Sequence, residues 1–246
     1  MNTNFEIIKS EILRRAKEAH ACTEQFSRAY KSEDMAQLCT VIKDNFWWAC
    51  NNKVLTVDLL EQYKIEFAEH EIYVNVSVER GFMLCDSATV EAYGNATVEA
   101  YGNATVKAWD NATVKAWGNA TVEAWDNATV EACGNATVEA CGNATVEACG
   151  NATVKAWDNA TVKACGNATV EACGSATVKA WGNATVEAYD SATVEAYGNA
   201  TVKAYGNAYC TPYSTIECKL SDNAIYRVRS SNIVYYASDD IKFEKQ

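Results

Sequence analysis

The chain has 246 residues, with 32 acidic against 21 basic side chains and a net charge of −11. That balance argues against non-specific binding to nucleic acid or to an anionic membrane, since both need a basic surface. Hydrophobic residues make up 49%, enough for a packed core, yet no run nears the ~18 apolar residues of a membrane span.

Residues 1–71 carry a helical period and read as a helical N-terminal domain or cap. Met1 to Glu6 lack the basic-then-apolar order of a secretory signal, so the expected compartment is the cytoplasm. Phe5, Ile8, Ile12, Leu13 and Ala16 form one stripe behind an Asn4 cap. A second helix covers Thr23–Tyr30. Ser32 caps a third, in which Met35, Leu38, Cys39, Ile42, Phe46 and Cys50 recur at helical spacing. Thr56 caps a fourth, with Leu59, Leu60, Tyr63 and Phe67. Three or four helices are therefore expected, covering the open end of the β region beyond residue 71, binding a partner, or both. Beside Phe46 stand Trp47 and Trp48. One ring is expected in the core and the other is a candidate partner anchor. The only histidines, His20 and His70, read as surface or helix-end residues.

Residues 72–246 read as a β-solenoid. The segment Ile72-Tyr73-Val74-Asn75-Val76-Ser77-Val78 switches to alternation, and Gly81 to Cys85 leads into the repeats. From residue 88 to 207 one octapeptide is copied fifteen times without insertion, as Ala-Thr-Val-[Glu/Lys]-Ala-[Tyr/Trp/Cys]-[Gly/Asp]-[Asn/Ser]. Positions one, three and five are apolar; two, four and six are Thr, a charge, and an aromatic or Cys. This period of two predicts a strand of about six residues with Ala-Val-Ala inward and the charge facing water. Positions seven and eight, such as Gly94-Asn95 or Asp110-Asn111, tolerate left-handed backbone and form the turn.

Gly-Asn between strands also suits a hairpin, but parity rejects one. A two-residue hairpin puts the residues flanking the turn on one face, so successive strands would flip and neither face of the sheet would stay dry. A chain that rounds a corner and coils on keeps every Ala-Val-Ala inside. Two octads then make one 16-residue turn of a two-sided parallel β-solenoid, with Asn ladders at its corners. The fold class expected is thus mainly β, with a small helical domain at the N-terminus.

Turn-type pairs persist at Gly206-Asn207, Ser214-Thr215, Asp222-Asn223, Ser230-Ser231 and Ser238-Asp239. Residues 208–246 therefore read as degenerate C-terminal coils with heavier side chains, capping the open core. Pro212 cannot donate a ladder hydrogen bond and is expected to mark a bulge. Twenty octads in all would make ten coils.

Position six builds one column per sheet. One runs Tyr93, Trp109, Trp125, Cys141, Trp157, Cys173, Tyr189, Tyr205; the other runs Tyr101, Trp117, Cys133, Cys149, Cys165, Trp181, Tyr197. Such columns stabilise adjacent rungs by stacking and also offer an apolar strip for a protein partner or a second copy. The Cys133-Cys149-Cys165 run is the only row suggesting a soft metal or redox chemistry, with sulfurs about 5 Å apart by rung spacing. No His or carboxylate pattern completes a site, so no metal and no cofactor is expected. Eleven cysteines in a reducing compartment predict free thiols.

Written Tyr-Gly-Asn-Ala-Thr-Val-Glu-Ala, the repeat resembles the Tyr-Gly-Ser-Thr-x-Thr-Ala-Gly octapeptide of bacterial ice-nucleation proteins. The resemblance covers residues 88–207 and implies 16-residue β-solenoid coils with tyrosine ladders. Their Thr-x-Thr is here Thr97-Val98-Glu99 or Thr105-Val106-Lys107, and a charge replaces the second threonine. The whole chain also resembles octapeptide-repeat proteins of gut bacteria and their phages or mobile elements. With no nucleophile–base pair or phosphate-binding glycine loop, the expected function is a non-enzymatic scaffold that presents aromatic ladders for self-association or partner binding, as a homo-oligomer. The alternatives are a phage or mobile-element decoy that sequesters a host factor, and ice binding.

Overall fold

The computed structural model describes residues 3–237 and the backbone of residues 242–243. Six short helices come first: α1 (Thr3–Glu18), α2 (Thr23–Tyr30), α3 (Met35–Asp44), α4 (Phe46–Asn51), α5 (Val57–Gln62) and α6 (Lys64–Ala68). The expected third and fourth helices are each divided, at Asn45 and at Tyr63, where the backbone leaves helical geometry. Asn45 leaves helical geometry at φ −124°, ψ 24° and turns its amide back to Val41 O at 2.8 Å, splitting the expected third helix into α3 and α4. Asp34, not Ser32, caps α3 by accepting from Gln37 N at 2.8 Å, while the Ser32 hydroxyl donates to Ala29 O and finishes α2. Asn4 is not a cap but lies inside α1, and its amide donates to Glu66. Thr56 caps α5 as its spacing predicts, accepting from Leu59 N.

Ile8, Ile12, Leu38, Phe46, Leu60 and Phe67 form one core, and it takes in Ile72 and Val74 of β1 (Ile72–Val74) and Leu84 of β2 (Phe82–Asp86). The helices therefore sit on the first two strands of the β region.

From β3 (Thr89–Ala92) a strand recurs every eight residues to β17 (Thr201–Ala204). Nearly all of these strands span four residues, shorter than the expected six, because the turn takes in position six and the next position one, as where Ala112 N donates to Trp109 O at 3.1 Å. Successive octads alternate between two sheets, and each strand pairs in parallel with the one sixteen residues on, as in Val146 on Val162. The result is a β-solenoid of about nine turns. Apart from partly covered Ala88, the repeat alanines and valines are buried, most of them completely, in one continuous narrow core. That burial of methyl-bearing side chains drives the coil, at about 25 cal/mol per Å² of apolar surface removed from water.

Position seven has positive φ throughout, from Gly94 at 55° to Gly134 at 76°, with Asp110, Asp126, Asp158 and Asp190 at 55–58°. Six asparagine pairs stack at one corner, from Asn119 on Asn103 to Asn199 on Asn183, at 3.3–3.4 Å. The Asp side chains sit at the other corner, where Asp110 and Asp190 accept from Gly94 N and Gly174 N of the preceding turn at 3.1 Å.

The C-terminal expectation needs correction. β18 (Tyr209–Cys210), β19 (Glu217–Leu220) and β20 (Ile225–Val228) keep the parallel frame, but β21 (Ile233–Tyr236) runs back antiparallel on β20, and β22 (Lys242–Phe243) antiparallel on β19. The turn pair at Ser230-Ser231 is thus a hairpin and not a corner, with Asn232 in the left-handed region at φ 56°. The pair Ser238-Asp239 lies outside the described residues. At Pro212 the strand stops after two residues instead of bulging, and Pro212 O accepts from Arg229 N at 2.9 Å. Ile216, Leu220 and Tyr226 are buried and fill the end of the core, with Ile216 N donating to the Tyr226 hydroxyl at 3.0 Å. Among the described residues no helix is long and apolar enough to cross a membrane.

Candidate interaction surface

Position six falls just after each strand, so its side chains lie along the two edges of the flattened solenoid. Tyr93, Trp109 and Trp125 stack on one edge, with centroid separations of 6.4 and 5.3 Å and interplanar angles of 9° and 11°. Farther along that edge Tyr189 stacks on Tyr205 at 5.0 Å. On the other edge Trp181 stacks on Tyr197 at 5.7 Å. Stacking covers much of each ring, and the indole nitrogens of Trp109 and Trp125 are buried without an acceptor. Tyrosine hydroxyls reach back two residues to the charged position: Tyr189 donates to Glu187 at 2.9 Å, Tyr197 to Glu195 at 3.5 Å, and Tyr93 to Glu91.

Two rings stand out from this cover. Trp157 is 39% exposed, between Cys141 and Cys173 on its edge, and Trp181 is 37% exposed on the opposite edge. Beside the ring columns runs the charged column, where Lys107–Glu123, Lys115–Glu131, Lys163–Glu147, Lys179–Glu195 and Lys203–Glu187 pair between neighbouring turns. Exposed pairs of this kind contribute about 0–1 kcal/mol each, and they offset only part of the acidic charge along the sheets, where nine Glu face six Lys. The threonines form registered columns of their own, two residues from these charges, as in Thr145 on Thr161 beside Glu147 on Lys163.

Glu99 departs from the expected outward charge. It is completely buried, where α4 meets the second sheet strand of the repeats. Its Oε1 accepts from Trp117 Nε1 at 2.6 Å and lies 2.8 Å from the Tyr101 hydroxyl, while Oε2 has no partner. The Tyr101 hydroxyl is also 2.9 Å from Asn51 Oδ1 at the end of α4. Burial raises the Glu99 carboxyl from 4.5 to about 7, against the lowering effect of the Tyr101 and Trp117 hydrogen bonds and of Lys115. Nothing in the octad distinguishes Glu99 from its exposed equivalents; only its nearness to the helical segment sets it apart.

Trp47 is half-buried, edge-on to Phe46 at 5.6 Å, with Lys115 Nζ 4.8 Å from its ring centre, so it ties α4 to the solenoid. Trp48 is 37% exposed. It borders an apolar cavity of about 270 Å³ among the helices, lined by Ile12, Phe26, Ile42 and Val54. The Asn45 amide there is already engaged with Val41 O and Gln25.

The cysteine row lies on the edge shared with Trp117 and Trp181, and Cys149 Sγ is 2.6 Å from Cys165 Sγ, much closer than the expected 5 Å. All eleven cysteines are free thiols. Among the described residues no group of three or more His, Cys, Asp or Glu is placed to hold a metal ion. No family model, curated protein or solved structure matches the chain.

Proposed function

We propose that the protein is a non-enzymatic scaffold, a stiff solenoid that presents aromatic edges for self-association or for a protein partner. The observation that carries this is the exposure of Trp157 and Trp181, 39% and 37%, on opposite edges of the middle turns. Stacking between rungs is a sufficient account of a covered ring such as Trp109; it does not account for an indole left open to water in the middle of a rod. One open ring on each edge suits lateral contact on two sides. The paired lysines weaken the rival reading of an acidic polymer mimic, which draws on the net charge of −11.

Sedimentation velocity over a concentration series tests self-association. The wild type is expected to form higher species with concentration, and Trp157→Ser with Trp181→Ser to remain monomeric with an unchanged circular dichroism spectrum. Identical sedimentation of the two proteins would remove the self-association reading.

A further inference from the structure

The thiol row at Cys133, Cys149 and Cys165 interrupts the aromatic column where Trp117 and Trp181 stand on either side. We propose that Cys149 and Cys165 are a redox pair, which a small-molecule disulfide such as glutathione disulfide oxidises to a link between adjacent turns. The geometry is prepared. The Sγ atoms are 2.6 Å apart, inside van der Waals contact of two sulfurs, and both side chains are partly open to solvent. The Cys149 N to Ala132 O and Cys165 N to Ala148 O hydrogen bonds, 2.9 and 2.8 Å, hold the rungs in register. A rung spacing of about 4.8 Å falls within the ~4.4–6.8 Å that a disulfide spans between Cα atoms.

The exchange closes without any group from elsewhere in the chain. Either thiol of the pair can attack first, and the balance is the same from Cys165 as from Cys149. The Cys165 thiolate attacks one sulfur of glutathione disulfide, breaking that S–S bond and releasing one glutathione. Cys149 then gives up its proton to solvent and attacks the Cys165 sulfur of the mixed disulfide. The Cys149–Cys165 bond forms and the second glutathione leaves. Two electrons and two protons pass from the protein thiols to two glutathione thiols.

The chain contains its own references. Cys141 and Cys173 occupy the same repeat position and are also partly exposed, but their neighbouring rungs carry Trp125, Trp157 and Tyr189. Cys210 and Cys218 touch each other across the core but are buried. Folded full-length protein is treated with glutathione disulfide, alkylated and mapped by mass spectrometry. The wild type is expected to join Cys149 to Cys165, with only mixed glutathione adducts at Cys141 and Cys173. Cys165→Ser is expected to move the link to Cys133–Cys149. Cys149→Ser is expected to give no link, because Cys133 and Cys165 are then two rungs, about 10 Å, apart. Oxidation is also expected to raise the urea midpoint of the wild type and not of Cys149→Ser. Adducts alone at all three thiols of the row, or a link that persists in Cys149→Ser, would overturn the proposal.

Discussion

Glu99 is a carboxylate placed where the octad keeps its charge in water, and it is covered by α4 and by the rings of Tyr101 and Trp117. The Tyr101 hydroxyl has one proton and two acceptors beside it, Glu99 Oε1 at 2.8 Å and Asn51 Oδ1 at 2.9 Å. A protonated Glu99 supplies the missing donor, and burial favours that form. With a folded value of about 7 against 4.5, folded protein holds a proton between those values that the unfolded chain has released. Stability therefore falls as pH rises from 4.5 to 7 and is flat above, by about 3 kcal/mol in all. Glu11 works in the opposite sense: hydrogen bonds from Arg14 and then Arg15 lower it to about 2, so its contribution is present above pH 4.5 and lost below it. Urea titrations at pH 5 and pH 8 check the Glu99 window. Glu99→Gln is expected to be more stable than the wild type at pH 8 and to show no advantage at pH 5.

At the scale of the element, the corner decides which residues the repeat accepts. Gly150 sits at φ 72°, and a Cβ there would lie 3.1 Å from Gly134 O and 3.2 Å from Gly134 N of the turn before. Gly150→Ala combines left-handed strain with that contact and is expected to lose about 1–2 kcal/mol, read from the denaturant midpoint. Gly150→Asn is expected to lose less, because Asn tolerates the left-handed region, so the difference isolates the backbone term. The corners also show what could be read beforehand. Parity alone places Ala-Val-Ala inside, because any other arrangement buries Glu or Lys in at least every second strand. The same parity keeps Asp110, Asp126, Asp158 and Asp190 on a single corner, a signal visible only at a step of sixteen. The reversal of β21 was not legible, since Ser230-Ser231 keeps the eight-residue step whether the chain rounds a corner or doubles back. Nor was the break at Asn45, which falls inside an unbroken apolar period and goes with side-chain hydrogen bonds to Val41 O and Gln25. For the candidate surface, the columns were legible as columns, but which rings remain exposed depends on their neighbours one turn away. Trp157 has Cys on both sides and Trp109 has rings on both. The burial of Glu99 depends on helices that no repeat encodes.

For the whole molecule, each turn touches mainly its neighbours, so length is adjustable while the edge on which a ring appears follows from counting octads. Removing residues 121–136, two octads, takes out one turn, leaves Trp181 on its own edge and keeps Cys141 and Cys173 on either side of Trp157. Removing residues 161–168, one octad, transfers everything downstream to the opposite sheet and sets Trp181 on the rung next to Trp157, on the same edge. Both deletions preserve the Ala-Val-Ala frame and juxtapose corner residues that already meet elsewhere, as Gly142 meets Asp126. Both are therefore expected to fold, the first shorter by about 5 Å in small-angle scattering. They are expected to differ in surface: in the one-octad deletion the two indoles stack and shield each other, as Trp109 and Trp125 do at 5.3 Å. Self-association is then expected to survive removal of two octads and to fall sharply with removal of one, with a blue shift in tryptophan emission only in the latter. Equal loss in both would tie association to rod length or to the cysteine row, and no longer to exposed indoles on opposite edges.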